Sequence, residues 1–204
     1  MQDHRPETVQ PATTQAADGY PRRVWTVDEL LRLLELGFFD GDGIHRERVE
    51  LIEGELVARS PKGPLHEDLR SELLINWLRR PLPRLKIASE SPVYLSGISA
   101  PGPDICVYPA EHRISEVPPA EIILLVEIAS TSSRRDHLLK APVYAKSGIR
   151  EYWVIDAAAC STTIYTRPGD DGYGSTVERA KDDMLTPSLA PELAICLAQI
   201  IDDS

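Results

Sequence analysis

Long apolar runs are missing from this 204-residue chain. The longest, Leu193 to Ala198, has six residues, against the roughly 18 that a membrane-spanning helix needs, so no membrane partner is expected. Cysteine is scarce as well. Cys106, Cys160 and Cys196 lie far apart with no C-x-x-C spacing, which argues against a disulfide framework or a zinc site and points to a reducing, cytoplasmic setting. The opening stretch MQDHRPETVQPATTQAADGYPRR lacks the basic start, apolar centre and small-residue cleavage site of a secretory signal. With Pro6, Pro11 and Pro21 among polar residues, residues 1–23 are expected to form a disordered tail ahead of one domain over 24–204. Three familiar signatures are absent: the G-x-x-x-x-G-K-[ST] loop, the G-x-G-x-x-G turn and the H-E-x-x-H helix. Gly97-Ile98-Ser99-Ala100-Pro101 ends in proline where a serine nucleophile elbow needs glycine. Nucleotide-binding and serine-hydrolase readings are set aside on these grounds.

Positive charge is also short, with 22 Lys and Arg against 32 Asp and Glu and a net charge of −10. That balance works against non-specific binding of polyanions, which rests on basic residues neutralising phosphates. The excess is uneven, because eight acids and two bases fall between Pro168 and Ser204. Elsewhere Arg79, Arg80, Arg84 and Lys86 gather around one loop, and Arg134 and Arg135 form a second basic spot. A local cleft touching a phosphate backbone therefore stays open.

What is present is a patterned globular sequence, 42% hydrophobic and 26% charged. Thr26 and Glu29 form a capping-box pattern, and Leu30, Leu31, Leu33, Leu34 and Leu36 follow it as an apolar stripe that stops at Gly37, which predicts a short helix. RVELIEGELVAR predicts a hairpin of Val49 to Ile52 and Glu55 to Ala58 turning at Glu53-Gly54. A second helix is expected over HEDLRSELLINWLRR, with Leu69, Leu73, Leu74 and Trp77 at helical spacing. Strands are expected at Leu85 to Ala88, Val93 to Leu95 and Pro103 to Tyr108, and EIILLVEIAS reads as a central strand covered on both faces. A helix from Arg134 to Ser147 would kink or restart at Pro142. Strands at Tyr152 to Ile155 and Thr162 to Thr166, a weaker one near Val177 and a short helix around Leu197 complete the order. The pattern fits an α/β or α+β sheet flanked by helices.

Glu127 carries the most information, because a carboxylate closing the apolar run Ile122 to Val126 must meet a cation, a metal or a proton. The plainer reading is a buried ion pair with an arginine. Asp104, after Pro103, would by itself be a turn residue. Two acids on adjacent strands whose ends meet can, however, hold one divalent ion of the Mg²⁺ type. Ala129 shares the face of Glu127 and stands where a nuclease E-x-K pattern has lysine. Lys140, on the next helix, has a stem long enough to return, or is a solvated surface lysine. His66, at a helix start, is expected to be kept neutral by the dipole and able to accept a proton or hold water. Glu50, alternating with Val49 and Leu51, reads as part of a solvated strand face. Arg134, Arg135 and Asp136 read as a solvated helix start with an Asp136 to Lys140 pair.

RVELIEGELVARSP with His66 after it, Pro103-Asp104, VEIASTSSRRD with Lys140, and YAKSGIREYWVID together resemble the Uma2 family of restriction-endonuclease-like proteins. The resemblance runs over about residues 25 to 200 and departs from the family pattern at Arg150, where proline is common. It implies the PD-(D/E)XK nuclease fold: a restriction-endonuclease-like central mixed sheet flanked by helices, here with an N-terminal helix and hairpin. By the same resemblance Asp104 and Glu127 are metal ligands for Mg²⁺ or Mn²⁺, Lys140 is the relocated lysine, and Glu50 and His66 belong to the pocket. Asp136 would support that pocket, and Arg134 and Arg135 would touch the phosphate backbone. The resulting expectation is a metal-dependent endonuclease hydrolysing DNA. Its rival is a catalytically silent module of the same fold, a homodimer through its apolar C-terminal segment. The net charge and the missing lysine at Ala129 favour the rival.

Overall fold

The computed structural model describes residues 22–40, 48–59, 61–129 and 134–201; side chains of residues 134–138 and 201 are excluded. Most of the tail expected at 1–23 lies outside these residues. Helix α1 (Val27–Glu35) begins with the Thr26 and Glu29 capping box, both halves of which form. The hairpin of β1 (Val49–Ile52) and β2 (Glu55–Ala58) has the expected register. Its turn places both Glu53 (φ 47°) and Gly54 (φ 83°) in the left-handed region, the requirement of a two-residue hairpin turn. Gly54 is needed on a second count, since a Cβ there would collide with Val24. The Gly54 N–H donates to Ile98 O (2.7 Å) and Ala100 N–H to Leu51 O (2.8 Å), so the hairpin is stitched to the 97–100 loop.

Helix α2 (Pro64–Leu78) starts with proline in its first turn, where the missing N–H costs nothing. Its buried stripe is His66, Leu69, Leu73 and Trp77. The main sheet runs β3 (Leu85–Ser89), β4 (Ile105–Pro109), β5 (Leu124–Ala129), β6 (Glu151–Asp156), β7 (Ser161–Gly169) and β8 (Gly172–Arg179), in that spatial order. Only β5 and β6 are parallel, joined through α3 (Arg134–Lys146). All six residues of β5 are buried, as its continuous apolar run predicts.

The two-residue alternation of the strands sorts side chains onto two sheet faces. Ile105, Val107, Leu124, Val126, Ile128, Trp153 and Ile155 pack with Leu73 and Trp77 of α2. That layer is closed by β9 (Met184–Leu185), β10 (Ile195–Cys196) and α4 (Leu197–Ile201), and Trp77 Nε1 donates to Leu193 O (2.9 Å). Cys106, Leu125 and Tyr152 face the other way and meet Ala141 and Tyr144 of α3. Asp104 and Glu127 have the parity of this second face.

One expectation changes and two are made more specific. Val93 to Leu95 is no sheet strand, because its N–H groups turn back to its own loop, Val93 to Pro101 O (2.9 Å) and Leu95 to Ser99 O (3.0 Å). Pro142 lies inside one uninterrupted helix rather than at a restart. The weak strand near Val177 is an eight-residue strand, held by an antiparallel ladder with β7 that local composition does not reveal. Among the described residues no helix is long and apolar enough to cross a membrane.

Candidate active site

The hairpin, the start of α2, the facing ends of β4 and β5, and α3 enclose a pocket of about 400 Å³. Glu50, Asp104, Glu127, Lys140, Lys62 and His66 all line it. Asp104 sits one residue before β4, and the antiparallel register pairing Ile105 with Val126 sets it opposite Glu127. Both carboxylates are buried, at 1% and 4% exposure.

Their surroundings differ. Asp104 Oδ2 accepts from His66 Nε2 (2.9 Å) and from the backbone N–H of Ile128 (2.7 Å), and Oδ1 accepts from Lys62 Nζ (2.5 Å). Burial pushes its carboxyl up, but the interactions with His66 and then with Lys62 outweigh that and hold it well below the usual carboxylate range. Glu127 Oε1 accepts from Lys140 Nζ (2.9 Å) and Tyr144 OH (3.3 Å). Complete burial pushes its carboxyl up, Lys140 pulls it down, and the charges of Asp104 and Glu50 push it up again, which together bring it to about 7.

Lys140 is therefore no surface lysine. It is buried and also donates to Glu50 Oε2 (2.8 Å). Burial lowers its pKa, but Glu127 and Glu50 outweigh burial and raise it, so the ammonium stays charged. Lys140 and Tyr144 are four residues apart on α3, which puts both on the face that meets Glu127.

Glu50 corrects the solvated-face expectation. It is 5% exposed, faces the pocket, and pairs with Arg59 Nε (2.9 Å) as well as Lys140. β1 is covered on both sides because Leu51, pointing the other way, is packed against Leu30, Phe39 and Ala100. The expected arginine partner of Glu127 is a lysine instead, and the arginine serves Glu50. His66 Nε2 is engaged with Asp104 (2.9 Å), which lets the ring position that carboxylate, and Nδ1, buried without a hydrogen-bond partner, lies 3.5 Å from Glu67 Oε1.

Lys62 and Glu90 also belong to the site, with no motif in the sequence to mark them. Lys62 Nζ bridges Asp104 and Glu90 Oε1 (2.5 Å), and Glu90 also binds Arg48 (3.0 Å) and Arg70 (2.9 Å). Burial raises the Glu90 pKa, but Lys62, Arg70 and Arg48 together bring it down to about 2. Nothing periodic marks Lys62, which lies in a proline and glycine loop. His66 had a usable signal: three residues before Leu69, it heads the buried stripe of α2. The side chains of Arg134, Arg135 and Asp136 lie outside the described residues. Arg80 and Lys86, from the other basic group, donate to the backbone oxygens of Glu192, Ala194 and His112, and neither lines the pocket.

The donor set suits a hard divalent cation, being carboxylate oxygen with no thiolate. No group of three or more His, Cys, Asp or Glu side chains among the described residues forms a metal cluster. A cation here would take Asp104 and Glu127 and complete its shell with water, as Mg²⁺ accepts.

Comparison with known proteins agrees with this architecture. Residues 28–198 match the Uma2 family model, described as "Putative restriction endonuclease". A crystal structure described as a "putative nuclease" from Anabaena variabilis superposes with a TM-score of 0.64 at 22% identity, covering 87% of this chain and 97% of that one. At that identity the likeness concerns the fold. No curated protein matches the chain.

Proposed function

The chain belongs to the Uma2 family, and from that premise and the pocket floor we propose that it is a Mg²⁺- or Mn²⁺-dependent endonuclease that hydrolyses phosphodiester bonds in DNA. The observation that carries the reading is the placement of Asp104 and Glu127 opposite each other on adjacent strands, lining one pocket with Lys140. One divalent ion entering there can take an oxygen from each carboxylate once Lys62 yields Asp104. When bound, such an ion polarises the phosphate and lowers the pKa of a water. The chain's own residues have separate tasks. His66 and the Ile128 N–H orient Asp104 in its charged form. Lys140 keeps Glu127 oriented and supplies a fixed positive charge beside the reacting phosphate. Lys62, its side chain 14% exposed, can exchange Asp104 for a substrate phosphate.

The silent-module reading has one observation in its favour: Asp104, Glu127 and Glu50 already have internal cationic partners, so the floor is a closed network. Calorimetric Mn²⁺ titration separates the two. Wild type should bind one ion that Asp104→Asn loses, and in an assay offering plasmid, single-stranded and branched DNA only the former should cut any of them. Equal binding by both proteins discards the metal assignment.

A further inference from the structure

The pocket has walls of two kinds. Its floor is charged, but its sides are aliphatic: Ile52 and Val57 from the hairpin, Leu139 and Val143 from α3, and Ile128 from β5. Two of these stand open to solvent, Leu139 at 64% and Val57 at 38% exposure. Apolar side chains held open at the mouth of a polar site cost free energy unless something flat and apolar covers them in use. Nucleobases have two such faces, and pockets for unstacked bases hold them between aromatic or apolar side chains. The volume, about 400 Å³, lies within the range of small-molecule sites.

Charge narrows the substrate further. Glu50, Glu53, Glu55, Asp104 and Glu127 line the pocket against Arg59, Lys62 and Lys140. Arg59 and Lys140 are already paired with Glu50, and Lys62 with Glu90 and Asp104. Duplex DNA brings about one negative charge per 1.7 Å of axis and needs a basic groove to hold it. Among the described residues few free cations face it, and the whole chain carries −10. A single strand, by contrast, can turn one nucleotide inward and keep its flanking phosphates in solvent. From these two features we infer that the pocket takes one unstacked nucleotide of single-stranded DNA, its base between the hairpin and α3 side chains, and rejects the intact duplex. This rests on the nuclease reading for the class of polymer, yet the two fail separately.

The test uses the full chain in Ca²⁺ buffer, with fluorescence anisotropy of a labelled dT oligonucleotide and of a labelled duplex of equal length. The single strand should bind at least tenfold tighter than the duplex. Leu139→Ser and Val57→Ser, both at exposed positions and both uncharged, should each weaken single-strand binding roughly fivefold to tenfold with an unchanged Tm. Leu139→Phe should retain or improve it. Equal or tighter duplex binding, no single-strand binding, or indifference to both serine substitutions would overturn the inference. Single-strand binding that follows this pattern, without any Mn²⁺-dependent cleavage, would sink the nuclease reading and leave the nucleotide pocket standing. Duplex cleavage as fast as single-strand cleavage, lost in Asp104→Asn, would do the opposite.

Discussion

Glu127 and Glu151 are buried carboxylates on neighbouring parallel strands, at 4% and 2% exposure, and they point to opposite faces of the sheet. Glu151 lies on the α2 side, where it accepts from Trp153 Nε1 (2.7 Å), Ser188 N–H (2.8 Å) and Ser188 Oγ (2.5 Å). All three donors are neutral. Both oxygens of Glu151 are engaged, and the residue ties the 188 loop to the sheet. Glu127, on the α3 side, meets a lysine, a tyrosine and two other acids at the wall of a cavity. Burial alone therefore does not distinguish a structural carboxylate from one available for chemistry. What does is whether neutral donors satisfy it or whether it shares a few cations with other acids beside open space.

The largest expected difference is in activity. Asp104→Asn and Glu127→Gln should each abolish Mn²⁺-dependent cleavage, whereas Glu151→Gln should leave the cleavage rate per folded molecule unchanged. A gel assay on the three proteins at matched folded concentration checks this. Cleavage lost only with Glu151 would place the chemistry on the wrong face of the sheet.

Stability should rank the lysine next. Lys140→Ala removes the cation shared by Glu50 and Glu127 and leaves two buried carboxylates facing each other, a change that costs about 3–5 kcal/mol when one partner of a buried pair is removed. Urea unfolding in chelator should show that loss. Adding Glu50→Gln to Lys140→Ala should recover part of it, because one of the opposed charges is gone. An unchanged midpoint in the single variant would mean that Lys140 is not held between the acids.

Glu151→Ala should cost less, about 2–3 kcal/mol, by stranding the Trp153 and Ser188 donors. Its Mn²⁺ affinity should match wild type. The sequence pattern marks Glu127 and not Glu151. Glu127 closes an apolar run and so breaks a pattern, while Glu151 precedes one and looks like an ordinary strand end. The same logic covers other residues. The Thr26 cap, the Glu53-Gly54 turn and β5 are local patterns, readable because a few neighbouring side chains decide them. Asp104 and Glu127 came from strand pairing. The burial of Glu50 and the role of Lys62 depend on the hairpin and its following loop folding over the ends of β4 and β5. Nothing in the alternation of β1 reports a cover supplied by α3, some 90 residues later in the chain.

The smallest effect is a slope. Burial pushes the Glu127 carboxyl of the metal-free folded protein up to about 7, against its ordinary 4.5 in the unfolded chain. Below about pH 4.5 the carboxyl is protonated in both states and its contribution is fully present. Between 4.5 and 7 the unfolded state releases the proton first, so stability falls as pH rises, by at most about 1.4 kcal/mol per pH unit from this group. Asp104 runs the other way: with its carboxyl held low, its contribution is present above the ordinary value of 3.8 and is lost as pH falls below it. The two windows barely overlap, which lets one titration separate them. Glu127→Gln should flatten the decline between pH 5 and 7 and make the metal-free protein more stable near neutrality, while Glu151→Gln should keep the decline. If Glu127→Gln is less stable than wild type at pH 7, the Lys140 pair outweighs the burial of the carboxylate. Glu127 would then belong with Glu151 as a structural acid, on the opposite face but in the same role.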